Sequence, residues 1–123
     1  MPTILPQGAR VTFVSGNPYL PEKCTVKFRM PDKYVLPAHT HPQVESVVLE
    51  SGTLRVGLGK KIDRPHSVLL VAGDSASTPA DVPPWSIADG EVDIMVTYET
   101  GPMRIAYMSK RDEPGSHSFS SGY

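Results

Sequence analysis

The chain of 123 residues carries one cysteine, Cys24, so no disulfide can form within it, and a small scaffold stapled by disulfides is excluded. It also lacks a charge bias. Twelve lysines and arginines stand against thirteen aspartates and glutamates, a formal charge of -1, which leaves no electrostatic footprint for nucleic acid or an anionic membrane surface. No apolar run approaches the length of a membrane span, and the first ten residues show no basic start followed by an apolar stretch. A cytoplasmic protein is the expectation. Helical periodicity is missing as well: between the punctuating prolines and glycines, no window spaces apolar residues by three and four over ten or more positions.

What is present in excess is turn chemistry. Thirteen prolines and ten glycines exceed the roughly 12% expected from average usage. Between them lie short segments that alternate. Val26, Phe28 and Met30 share one face of a run whose other face holds Thr25, Lys27 and Arg29. Leu54, Val56 and Leu58 repeat the pattern, as do Val92, Ile94, Val96 and Tyr98, while 46–49 and 67–71 are apolar runs of strand length. Ser51-Gly52 between two such runs predicts a tight hairpin, because glycine accepts the positive φ of hairpin turns. Many short strands with turn residues between them predict an all-β sandwich or barrel in a single domain over 1–108. The remaining 109–123 is a polar, turn-rich tail, mobile or ordered against a neighbouring subunit.

The chemically informative stretch is Pro37-Ala38-His39-Thr40-His41-Pro42-Gln43-Val44-Glu45. Residues two apart on a strand share a face, so His39 and His41 project together, and Glu45 has the same parity if the strand continues past Pro42. Two imidazoles and a carboxylate suit a divalent ion. Exposed polar residues on an edge strand, marked by Pro42, are the competing reading. The apolar flanks Val35-Leu36 and Val47-Val48-Leu49 weigh against it, because unpaired polar groups are costly in a core-forming region.

On these residues the chain resembles the cupin superfamily, in the manner of its small single-domain bacterial members. The first motif of that family, Gly-X5-His-X-His-X3/4-Glu-X6-Gly, is matched by His39, His41, Glu45 and Gly52, with Lys33 in place of the opening glycine. The second is half kept. Gly73 and Pro79 fit, while Asp81, Pro84 and Ala88 stand where glycine, histidine and asparagine are usual. The motifs span 33–88, 56 of 123 residues, and the closing run Gly101-Pro102-Met103-Arg104-Ile105-Ala106-Tyr107 also looks like the end of such cupins. The resemblance implies a jelly-roll β-barrel, a ligand-lined cavity and a homodimer. It further implies a divalent metal, Fe, Mn, Ni or Zn, held by His39, His41 and Glu45, with Pro84 in the place of a fourth ligand. A metal-dependent oxygenase or isomerase acting on a small oxygenated organic molecule follows; the alternative is a non-catalytic small-molecule binder with a degenerate metal site.

Other residues are weighed on parity. Tyr98 is a candidate cavity residue by the alternation of its strand, and Gln43 by parity with the ligands. Trp85 has the parity opposite to Pro84 and is expected to pack between sheets or at a subunit contact. His66 and His117 are expected to be solvated, and Cys24 to be a buried inert thiol.

Overall fold

The computed structural model describes residues 5–109 and 112. His117 and nearly all of the expected tail lie outside the described residues. Among the described residues nine strands form: β1 (Arg10–Ser15), β2 (Cys24–Met30), β3 (Val35–Leu36), β4 (His39–Thr40), β5 (Glu45–Leu58), β6 (Val68–Val71), β7 (Ser75–Thr78), β8 (Pro84–Tyr98) and β9 (Ala106–Tyr107). A 3-10 turn, Arg64–His66, lies between β5 and β6. No helix among the described residues is long and apolar enough to cross a membrane.

All strand pairings are antiparallel, and seven strands make one sheet in the order β1-β2-β8-β5-β6, with β3 added on β8 and β7 on β5. β4 and β9 pair separately. The spine is the long β5/β8 ribbon. Its first part in β5, Glu45 to Leu49, lies between β7 and the end of β8; its second part, Thr53 to Leu58, lies between β6 and the start of β8. The register slips between Leu49 and Thr53. At that slip the sheet turns over on itself, so that Leu49, Ile94 and Val96 of one part and Leu36, Leu54 and Ala88 of the other join one core. This is the all-β architecture expected from the alternating segments, and the jelly-roll β fold that the resemblance implies.

The expected hairpin at Ser51-Gly52 does not form. Gly52 does take a positive φ of 87°, but it uses it in a bulge, and both flanking runs belong to β5. A β-carbon at Gly52 would run into the Glu91 carbonyl oxygen of the facing strand, so the glycine serves close approach of two backbones rather than chain reversal.

β2 forms over the run that its alternation marks, with Val26, Phe28 and Met30 buried together with Cys24. Its outward residues lock the register against β8. Thr25 Oγ1 lies 2.9 Å from Thr97 Oγ1, and Arg29 donates Nε and Nη2 to the two Asp93 carboxylate oxygens at 2.8 and 3.0 Å. These pairs face each other directly across the ladder, where cross-strand partners fix the register.

Candidate metal and ligand site

β4 is two residues long, and a bend at Pro42 and Gln43 ends it, so Glu45 is not its continuation but the first residue of β5. The parity argument from His39 to Glu45 therefore fails. The three side chains are brought together instead by the turn and by the sheet: β4 is held by β9, His39 opposite Tyr107, and Glu45 is held opposite Thr78 and Tyr98. The turn at Asp81 closes on the same place through its amide, which donates to the His41 carbonyl at 3.1 Å.

Both imidazoles are anchored in the same way. The Pro37 carbonyl lies 2.7 Å from His39 Nδ1, and the Gln43 carbonyl 3.0 Å from His41 Nδ1. A carbonyl only accepts, so each Nδ1 carries the proton, and Nε2 of the neutral ring is left as a bare lone pair. This backbone support is what a metal-ligating histidine receives from its outer shell. The ring centroids are 5.5 Å apart. His41 Nε2, fully buried, lies 3.5 Å from Glu45 Oε1 and has no hydrogen-bond partner. At that separation the contact is electrostatic rather than a formed hydrogen bond.

Two acceptors that face each other in a buried place call for a cation between them, a proton or a metal. For His41, burial pushes the imidazole pKa down, but the Glu45 carboxylate, the Gln43 carbonyl and the charge of Asp81 outweigh it, and the net shift is upward. His39 is shifted downward, chiefly by burial and also by His41, against the Pro37 carbonyl and Glu45. As the side chains lie, no three His, Cys, Asp or Glu groups among the described residues converge in metal-holding geometry.

His39 and Glu45 open onto a cavity of about 410 Å³ between the two parts of the β5/β8 ribbon. Its walls are aliphatic side chains of β5, β6 and β8, among them Leu54, Leu70 and Ile94.

No family model and no curated protein matches the sequence. Solved structures do. An RmlC-like cupin from Shewanella frigidimarina superposes with a TM-score of 0.63 at 19% identity, covering 74% of this chain and 75% of that one. A cupin 2 domain-containing protein from Halorhodospira halophila gives 0.69 at 17% identity over 85% of this chain and 73% of its own. An oxalate oxidase gives 0.65 at 20% identity; it is matched over 87% of this chain, which spans only 58% of that protein.

The chain has the cupin fold.

Within this cupin fold the substituted motif positions can be located. Lys33 and Asp81, which replace glycines, keep the positive φ that glycine would take, 66° and 62°. Pro84 opens β8 opposite Leu58 and lines the cavity with a side chain that has no donor atom.

Tyr98 and Gln43 do not line the cavity. Tyr98 is buried with its ring centroid 5.6 Å from that of His41, and its strand position places it beside Glu45 in the ladder. Burial first, then the charges of Glu45 and Cys24, drive its hydroxyl pKa far upward, so the phenol stays protonated. Gln43 acts through its backbone carbonyl.

Trp85, expected between sheets by parity, is in the cavity wall, where its indole lies over Gly57 of the neighbouring strand. A ring of that size reaches sideways over a residue that has no β-carbon, and strand parity does not describe this. His66 is solvated as expected, yet it stands at the cavity rim, its Nδ1 2.8 Å from Asp63 Oδ2. Ser77, Thr78 and Ser86 add hydroxyl groups to the lining that no sequence motif marks. Cys24 is fully buried, and burial raises its thiol pKa, as for an inert thiol.

Proposed function

We propose that this cupin barrel binds one divalent metal ion through Nε2 of His39, Nε2 of His41 and the Glu45 carboxylate, and that it acts as a metal-dependent oxygenase or isomerase on a small oxygenated organic molecule. The observation that carries this reading is the buried, unpartnered His41 Nε2 facing a carboxylate, with both Nδ1 protons committed to carbonyls. Two nitrogens and an oxygen suit Fe, Mn, Ni or Zn alike. A bound ion would supply Lewis-acid polarisation of a substrate oxygen. The chain's own part is to orient both imidazoles from behind, to set a carboxylate beside them, and to shield the group with apolar walls.

Pro84 favours a second reading, a non-catalytic binding barrel, since it leaves one coordination place without a protein donor.

Elemental analysis of untagged protein, repeated on His39→Ala and His41→Ala, separates the two. Metal near one equivalent in the wild type and a loss in both variants is the expected result. A metal-free wild type that takes up none of the four ions on dialysis would remove the first reading.

A further inference from the structure

We propose that the molecule this cavity binds carries an unbranched apolar chain behind its oxygenated head, that the chain leaves the barrel past Leu58 and Val68, and that these two side chains set the chain length accepted. For the position of the head alone this rests on the reading above. The chain is argued from other residues.

The row of side chains that leads out of the cavity begins in the core. Residues two apart on a strand share a face, so Leu54, Val56 and Leu58 of β5 point the same way, and the register sets Leu70 and Val68 of β6 opposite Leu54 and Val56. All five line the cavity. Exposure rises along the row: Leu54 is buried, Val56 and Leu70 are half-buried, and Leu58 and Val68 are 58% and 61% exposed. Four residues of strand span about 13 Å, which lets the row follow an extended chain from the interior to solvent.

Where a strand face meets water, polar residues are the rule. This row stays aliphatic. Leu58 and Val68 are the two most exposed large apolar side chains among the described residues, and both line the cavity. Apolar side chains scattered singly over a surface need no explanation, but two that continue a buried row out of a cavity mark a path for apolar material. Pro84, paired with Leu58, adds its ring carbons to the same lining. The exposed polar members of the lining, His66 and Ser77, stand on the 3-10 turn and on β7 and not on this row.

The buried end is where the head belongs. His39 lies there with Leu36, Leu54 and Ile94, and the last three are part of the packed core. A head held at that end has its chain directed toward the mouth, because the core fills the space behind. The volume of about 410 Å³, roughly a dozen waters at about 30 Å³ each, holds a head and several methylene groups. Any charge or ion at the head acts equally on every chain length, so the preference for a chain does not depend on it.

The test compares ligands that share one head: glycerol and its monoesters with butyric, hexanoic and octanoic acid, titrated calorimetrically into the full chain as purified and again after chelator treatment. The octanoyl ester should bind at least about tenfold tighter than the butanoyl ester in both preparations, since each buried methylene is worth up to about fourfold, and glycerol should not bind. Leu58→Ser and Val68→Ser, in protein shown to be folded by circular dichroism, should keep butanoyl binding within about twofold of wild type and shrink the octanoyl advantage at least about threefold. No binding of the octanoyl ester, affinity that does not rise with chain length, or an advantage unmoved in both variants would each overturn the proposal. A molecular mass halved by Val68→Ser with the advantage unmoved would assign the two side chains to contact with a second copy instead. Failure of the metal reading is distinguishable. Metal-free protein whose affinity climbs with chain length keeps the chain and loses the metal, while bound metal with no dependence on chain length does the reverse.

Discussion

His41 shows how much a single side chain's surroundings decide. Its Nδ1 is held by a carbonyl two residues on, its Nε2 is buried against Glu45, and its ring rests on Tyr98. Pro84, the first residue of β8, lines the lumen without a donor atom. Pro84→His would place an imidazole there, and the expected outcome is slower loss of metal to a chelator, by roughly tenfold or more, on the scale of what supporting groups contribute to metal affinity. Retention no better than wild type would mean that this position does not reach the ion. His39, His41 and Glu45 stand out as candidates from their spacing and apolar flanks. Trp85 and His66 were not, since one reaches across a glycine and the other sits on a turn, where period-two parity has no meaning.

Among the elements, β5 departs most from its sequence pattern. Gly52 looked like a hairpin turn because a positive φ is common to turns and bulges, and only the partner strand distinguishes them. Gly52→Ala should therefore destabilise the fold by about 1–3 kcal/mol in a urea titration, through strain at φ 87° and overlap with Glu91. Lys33 sits in the opposite situation, with a side chain at φ 66° where glycine would be at ease. Lys33→Gly is expected to gain up to about 1 kcal/mol, and Asp81→Gly less, because aspartate tolerates the left-handed region better. The β2/β8 ladder supplies a pH dependence. The Arg29 guanidinium holds the Asp93 carboxyl below its usual pKa. A depressed folded-state pKa contributes stability that is present above the unfolded value, about 3.9, and is lost as pH falls through the folded one. The gap in melting temperature between wild type and Asp93→Asn should accordingly close as pH drops below about 4; a gap constant with pH would show that the pair adds nothing through its charge.

The molecule as a whole is one core folded over by one ribbon, with apolar surface left outside it. β1 is a sheet edge on which neighbouring residues of opposite faces are both open, Phe13 at 46% and Val14 at 50% exposure. An edge of that kind invites pairing with another chain. The homodimer implied by the resemblance would use it, and light scattering should then give twice the 13.4 kDa chain mass, falling to one chain in Val14→Lys. A monomeric wild type would dispose of that role. By itself the sequence determined the class and most strands, because side-chain alternation is a local property of an extended backbone, and it marked His39, His41 and Glu45 as candidates, because spacing and residue chemistry are carried in one short segment. Only the tertiary structure decided that β5 continues through Gly52, that the Tyr98 ring lies beside His41, and that Trp85 walls a cavity. Each of these depends on which segments lie side by side, between residues as far apart as His41 and Tyr98. No local pattern records such pairings.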